Sequence, residues 1–365
     1  PPPPRPPQDN LRRQRHMCIR DSLGGGTPTF FDSKNLKKLV KGVLDPSDIH
    51  QQHSFGFEGS PNNTTRDHLE TLYQLGFTRV SLGVQDFDPK VQRAVNRINT
   101  FDQVAQVVRW AREIGYDSVN LDLIYGLPFQ TEDTMSKTLE LTASLHPDRI
   151  ALYSYAHVPW KSPSQRGYSE ADLPKDTEKR VLYEMSKAYF MDNHYMEIGM
   201  DHFALETDEI AQAYRSGTLH RNFMGYTVSE TDVLIGLGVS AISDCKTAYA
   251  QNAKVVESYQ DQINHSGTAI FRGHFLSSED QVTRDFIMEL ICNHQARLPA
   301  GYNNQLADTS RQALRAMEQE GLLKITADHL KVAEVGKPFI RNICSVFDGY
   351  LQAPVAAEKL FSKAI

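Results

Sequence analysis

Glu58, Gln85 and Asp122 fall at or near the carboxyl ends of three short strand-like runs, Ser54–Glu58, Thr78–Val84 and Ser118–Ile124. Carboxylates accept from hydroxyls and ammonium groups, and a carboxamide can donate or accept at no net charge. In Ser118-Val-Asn-Leu-Asp-Leu-Ile-Tyr-Gly-Leu-Pro128, Asn120 and Asp122 lie two apart and share one strand face. A core parallel strand is expected to be nearly all apolar. Either this strand shows a polar face at an edge, or it lines a polar lumen where Asp122 holds a hydroxyl-rich ligand. A fourth element is LGGGTPT, Leu23–Thr29. It matches neither the G-x-G-x-x-G fingerprint nor the P-loop, since no lysine follows at the required place. Its bare backbone suits an amino-acid ammonium or carboxylate better than a phosphate.

These residues need a frame that brings strand ends together. Apolar spacing predicts helices over Asn35–Leu44, Thr65–Leu75, Phe101–Ile114, Thr131–Leu145 and Asp176–Asp192, and a further strand over Arg149–Tyr155. Gly76 and Gly115 serve as helix stops. The alternation implies right-handed crossovers and a parallel α/β sheet, doubly wound or closed into a barrel. Ligands in such folds bind at the carboxyl edge of the strands, where Ala156 also falls. From Phe271 onward the pattern is helix (Ser278–Asn293), helix (Ser310–Gln319), hairpin (Leu323–Val332) and helix (Lys337–Leu351), a winged-helix-like order. Few cations cluster there, so a lid or docking role is expected rather than DNA binding.

Composition narrows the class. The 365-residue chain carries a formal net charge of −6, which argues against a nucleic-acid partner. No apolar run approaches the roughly 20 residues of a membrane helix, and no signal peptide is visible. Cys18, Cys245, Cys292 and Cys344 are scattered, which fits a reducing cytoplasm rather than a disulfide framework. The first 22 residues, PPPPRPPQDNLRRQRHMCIRDS, are rich in Pro and Arg without apolar periodicity. They read as a disordered or foreign tail without a fold role. The expected organisation is tail 1–22, a barrel-like domain 23–268 and a C-terminal domain 269–365.

Read in order, GGGTPT, Glu58, SLGVQDFDPKVQRAVNR (81–97), NLDLIYGLPFQT (120–131), YSYAHVP (153–159), IGMDHFAL (198–205), LHRNFMGYT (219–227), LIGLGVSAIS (234–243) and RNICSVFDGYL (341–351) resemble the oxygen-independent coproporphyrinogen III oxidases, a radical S-adenosylmethionine family. The resemblance runs from Leu23 to the end of the chain. It implies an α/β fold, a partial (β/α)6 barrel followed by a small, mostly helical, winged-helix-like domain. It implies a 4Fe–4S cluster held by three cysteines and two bound S-adenosylmethionines. Their 5′-deoxyadenosyl radical takes hydrogen from two propionates of coproporphyrinogen III, which become vinyls and give protoporphyrinogen IX in haem biosynthesis. It further implies a cytoplasmic monomer served by an electron donor such as flavodoxin or ferredoxin.

Carried over by position, Gly25, Gly26 and Thr27 resemble the backbone that receives the methionine end of S-adenosylmethionine. Glu58 and Ile242 match positions beside the first of the two molecules, with Ile242 at its adenine. Gln85, Arg97, Asp122 and Ala156 match positions at the second. Asp201, His202 and Arg221 are candidates for substrate contact, Arg221 for a propionate. The chain departs from the family in lacking the C-x3-C-x2-C signature, and the strand and cluster loop that carry it are read as missing. Three neighbouring thiolates let one loop hold a cluster with an iron left open. The chain is therefore expected to supply no metal ligands, and to be inactive as written. A radical S-adenosylmethionine haem chaperone is the close alternative, but IGMDHFAL and HRNFMGYT match the oxidase form.

Overall fold

The computed structural model describes residues 20–352, apart from 46, 48, 52, 161 and 300–305. Its centre is a seven-stranded sheet. β1 (Arg20–Leu23), β2 (Ser54–Gly59), β3 (Phe77–Gln85), β4 (Ser118–Tyr125) and β5 (Arg149–Ser154) run parallel. β6 (Tyr195–Gly199) and β7 (His202–Leu205) complete the order β1-β2-β3-β4-β5-β7-β6, with β7 antiparallel to both its neighbours. The connecting helices are α1 (Ser33–Leu44), α2 (Arg66–Gln74), α3 (Pro89–Ala94), α4 (Phe101–Ile114), α5 (Glu132–Ser144) and α6 (Asp176–Asp192).

One expectation is corrected at the start of the sheet. Residues 20–22 were given no fold role, and no strand was expected before the glycines. Arg20, Asp21 and Ser22 instead pair with Ser54, Phe55 and Gly56, as the first strand of the sheet. The backbone of β2 offers donors and acceptors to any extended segment, so this pairing needs no apolar pattern. Residues 1–19 of the expected tail lie outside the described residues.

From Val80 in β3 and Val119 in β4 the strands alternate because one face is covered by helices, while β2 and β5 carry longer buried runs. Phe55, Phe57, Val80, Leu82, Val84, Val119, Leu121 and Leu123 are buried with Leu69, Leu72, Val104, Val108 and Leu139 of the helices. Ser81, Gln85, Asn120 and Asp122 therefore point the other way, onto the polar face. Helix starts are fixed chemically: Asp32 caps α1, and the hydroxyls of Thr65, Thr100 and Thr131 accept from backbone N–H groups three residues on.

Beyond the sheet come α7 (Glu209–Ser216) and the hairpin β8 (His220–Asn222) and β9 (Gly225–Thr227). A three-stranded antiparallel sheet follows: β10 (Ile242–Asp244), β11 (Ala248–Asn252) and β12 (Ile270–Phe275), with α8 (Val256–Ser266) between the last two. The division expected between 268 and 269 falls inside this unit, because β12 pairs with β11. The last part has α9 (Ser278–Asn293), β13 (Gln295–Arg297), α10 (Asp308–Gln319), β14 (Leu323–Ile325), β15 (His329–Val332) and α11 (Ile340–Ser345). The hairpin forms as expected, and β13 joins it as a third strand. The single helix expected over Lys337–Leu351 is broken. A 3-10 turn at Glu334–Phe339 contains Pro338, which has no N–H to continue a helical ladder, and α11 starts after it.

A buried polar network fixes the carboxyl edge. The carboxylate of Asp86, 1% exposed, accepts from Gln130 Nε2 (2.6 Å), the Asp88 backbone N–H (2.6 Å) and the Thr138 hydroxyl (3.0 Å). Gln130 Oε1 accepts from the N–H of Gly126 and of Leu127, and Gln92 Nε2 donates to the carbonyls of Asp86 and Asn99. The turns after β3 and β4 and the body of α5 are thereby one unit. Replacing Asp86 by Ala strands three donors, which costs about 3 kcal/mol. Asp86→Ala is expected to lower the chemical-denaturation midpoint accordingly, and Asp86→Asn by less. A loss below about 1 kcal/mol for Asp86→Ala would show the network to be dispensable.

Candidate active site

The polar face of the sheet gathers the residues singled out from sequence. Glu58 pairs in register with Ser81, and Ser81 with Asn120. One step toward the carboxyl edge, Gly83, Asp122, Ala151 and His202 form a continuous row across β3, β4, β5 and β7. Paired residues project to the same side, so Asp122 and His202 share this face, two strand spacings or roughly 10 Å apart.

Asp122 is the best-connected member. Its Oδ1 accepts from the Ser81 hydroxyl at 3.0 Å and from Asn120 Nδ2 at 2.7 Å, and Asn120 also donates to Ser81 Oγ at 2.6 Å. Burial pushes the Asp122 carboxyl up to about 6, and the Glu58 charge adds to that. The Ser81 and Asn120 hydrogen bonds and the Arg97 cation act against it. Two carboxylates thus face the same space and repel one another.

The glycine loop reaches Glu58 directly. The Gly25 N–H lies 3.4 Å from Glu58 Oε2. A Cβ on Gly24 would stand 2.8 Å from the Glu58 carboxyl carbon, so any larger residue there displaces the Glu58 carboxylate from the loop. Gly25 has φ +85°, with open space around it. Gly26 follows, and Thr27 precedes the short 3-10 turn Pro28–Phe30. Gly24, absent from the sequence-based set, is thus the glycine with a steric reason.

Gln85 closes β3 with φ +70°, a left-handed conformation uncommon for a side chain of this type. Its Oε1 is buried without a hydrogen-bond partner among the described residues. A Cβ on Gly83 would lie 3.0 Å from Gln85 Nε2 and 3.7 Å from an Arg97 guanidinium nitrogen, which places both side chains over the same backbone. Ala156 follows β5, and its carbonyl accepts from Gln165 Nε2 at 3.1 Å. Ile242 is on β10, part of the separate three-stranded sheet. It is not joined to Glu58 within the main sheet.

A second cluster surrounds His202. The ring of Tyr153 stands edge-on to His202 at 6.0 Å between centroids, and Tyr226 does so at 5.5 Å. The Arg221 guanidinium lies over Tyr226 at 5.6 Å. Burial, helped by the Arg221, Arg149 and Arg341 cations, lowers His202 to about 4, which keeps the imidazole neutral near pH 7. Asp201 pairs with Arg341 of α11. Tyr153, Tyr226 and Arg341 were not among the sequence-based candidates. Tyr153 lies in the β5 run Arg149–Ser154, whose apolar stretch has no two-residue alternation to single it out. Tyr226 and Arg341 lie inside the motifs LHRNFMGYT and RNICSVFDGYL, which carry the resemblance without giving either residue a role.

The three described cysteines are free thiols, and Cys292 and Cys344 lie near enough to act on one another. Cys245 is exposed, while Cys292 and Cys344 are buried and burial pushes both thiols up to about 12. Cys18 is outside the described residues. Among the described residues no group of three His, Cys, Asp or Glu side chains is placed to hold a metal ion, and no helix is long and apolar enough to cross a membrane.

Comparison with known proteins agrees with this geometry. The family model of the Radical SAM superfamily matches residues 5–142. The oxygen-independent coproporphyrinogen III oxidase of Synechocystis is 39% identical over 352 residues, covering 94% of this chain and 75% of that protein. The Escherichia coli enzyme of the same name is 38% identical, with 94% and 76% covered. The solved E. coli coproporphyrinogen III oxidase, described as a radical SAM enzyme, superposes with a TM-score of 0.85 over 91% of this chain and 78% of that one. With sequence similarity along nearly the whole chain and the same fold around a polar sheet face, this chain belongs to the oxygen-independent coproporphyrinogen III oxidase family of radical SAM enzymes.

Proposed function

We propose that the polar face receives S-adenosylmethionine and coproporphyrinogen III, for the oxidative decarboxylation of two propionates to vinyls in haem biosynthesis. The observation that carries this reading is the convergence of Glu58, Asp122 and the unpartnered Gln85 Oε1 on one open face in a chain of this family. S-adenosylmethionine brings an ammonium, a carboxylate, a sulfonium and ribose hydroxyls. Asp122 and Glu58 suit the cationic and hydroxyl groups, Gln85 supplies a free acceptor, and Arg97 suits the carboxylate. The loop Gly25, Gly26 and Thr27 offers backbone to the amino-acid end. Bound S-adenosylmethionine supplies the hydrogen-abstracting group in this chemistry. The residues of this chain bind and orient.

The cysteines do not fit a 4Fe–4S cluster. Of the three described ones, two are buried as protonated thiols, and no group of three ligating side chains forms among the described residues. Asp201, His202 and Arg221 face the substrate in this reading, with His202 a neutral hydrogen-bonding group. A flavodoxin- or ferredoxin-type electron donor, a monomeric state and a cytoplasmic setting accompany it.

Isothermal titration with S-adenosylmethionine tests the cofactor part. Glu58→Gln and Asp122→Asn are each expected to weaken binding about tenfold, a loss matching one charge-assisted contact. Undiminished binding in both variants would overturn the assignment. Asp122 adds a pH signature. Its folded-state value of about 6 lies above its unfolded value, so burial of the charge costs stability that grows as pH rises from about 4 to about 6. Asp122→Asn keeps the Oδ1 acceptor and removes the charge. It is expected to be more stable than the parent at pH 7, by up to about 3 kcal/mol, with the advantage gone at pH 4. Thermal unfolding at the two pH values checks the sign.

Gly24→Ala supplies a steric test. The new Cβ pushes the Glu58 carboxylate away from the loop. Weaker S-adenosylmethionine binding is expected, with thermal stability within about 1 kcal/mol of the parent because Glu58 can swing aside. Unchanged binding would show that the contact between the loop and Glu58 is not part of the site.

A further inference from the structure

The cluster around His202 holds more unmet hydrogen-bonding capacity than the floor at Asp122. Arg221 Nε, the Tyr226 hydroxyl and His202 Nδ1 are all buried without partners among the described residues. The three groups are contiguous: Arg221 lies over Tyr226, and Tyr226 lies edge-on to His202. A Cβ on Gly199 would stand 2.6 Å from the Tyr226 hydroxyl, so the β6–β7 turn packs tightly against it and fixes where it points. Two guanidinium charges, Arg221 from β8 and Arg341 from α11, both act on Asp201, His202 and Tyr226. Asp201 is the anion that answers them, paired with Arg341. Arg149, the other cation acting on His202, is committed to Asp208 and Glu209. Two cations against one carboxylate leave one positive charge beside a neutral imidazole and a phenol.

We infer that Arg221 and Arg341 form a two-cation seat for one carboxylate of the substrate, and that Asp201 is the internal counter-charge that holds Arg341 until that carboxylate arrives. The inference rests on the proposed reading that the ligand of this face is a multiply carboxylated porphyrinogen. A carboxylate offers about four acceptor sites, enough for Arg221 Nε, the Tyr226 hydroxyl and a fork from Arg341. The planar guanidinium suits such a group better than an ammonium does. Arg341 is well placed to change partners. Its side chain is 60% exposed, whereas that of Asp201 is 16% exposed, so the arginine is the mobile half of the pair. Because Arg341 belongs to the C-terminal part, the seat is complete only while that part sits against the main sheet.

The test is a fluorescence titration with coproporphyrin III, the chemically stable oxidised form, alongside an S-adenosylmethionine titration on the same preparations. Arg221→Gln and Arg341→Gln are each expected to weaken coproporphyrin III binding tenfold or more, the loss of one charge-assisted contact. Arg341→Lys retains the charge but not the fork and falls between. Asp201→Asn removes the competitor and binds severalfold tighter than the parent. All four should keep the parental affinity for S-adenosylmethionine, which shows that they are folded. Binding within twofold of the parent for both Gln variants overturns the seat while leaving the proposed function standing. Weaker binding by Asp201→Asn overturns the counter-charge role. A parent that binds S-adenosylmethionine but not coproporphyrin III sinks the substrate reading, and the seat with it.

Discussion

The carboxylate of Asp86 sits among three donors with almost no access to water, and its position constrains everything at the carboxyl edge of the sheet. A buried anion tolerates little movement, because each lost donor exposes it to an uncompensated desolvation cost. The turns that follow β3 and β4 are therefore held against α5 at a fixed height. Gln85 precedes Asp86 directly, and Asp122 lies in β4 just before the Gly126 turn that Gln130 grips. The network thus sets the distance between Gln85 and Asp122.

Above that frame, the face is built from mismatched charges. Burial and the neighbouring Glu58 charge both raise the Asp122 carboxyl, and the Ser81 and Asn120 hydrogen bonds and the Arg97 cation offset the repulsion but not the burial. On the neighbouring strands the imbalance is reversed, with Arg221 and Arg341 outnumbering Asp201. Carboxylates thus gather on one side of the sheet face and guanidinium groups on the other. The division follows from strand order: β2 to β4 carry the acids, while β7, the β8–β9 hairpin and α11 carry or receive the arginines.

Much of this was legible in the sequence. Helices α4 and α6 start and stop where apolar spacing and flanking residues place them, because amphipathic periodicity and capping are local signals. The two-residue spacing of Asn120 and Asp122 exposed the polar face before any coordinates. Less legible was whatever depends on remote pairing. β7 pairs with β5 some fifty positions back, and β13, only three residues long, pairs with β15 more than thirty positions on. The strand at Arg20–Leu23 has no apolar pattern because backbone pairing along an open edge does not require one. Arg341 reaches Asp201 across 140 positions, a separation that no local spacing rule can bridge. Asp86 was adjacent to a residue singled out for chemistry, and only its burial revealed a structural role.

Gln85 illustrates how such a face resists optimisation. Its backbone occupies a left-handed conformation that glycine adopts freely and that a branched or long side chain adopts at a cost. A library selected for thermal resistance alone would favour glycine at this position, since the strain disappears with the side chain. The same exchange deletes the Oε1 that is buried without a partner among the described residues and that the proposed reading gives to the ligand. Resistance to heat and recognition therefore pull in opposite directions at one residue. Any stabilised derivative of this protein should hold position 85 fixed during selection.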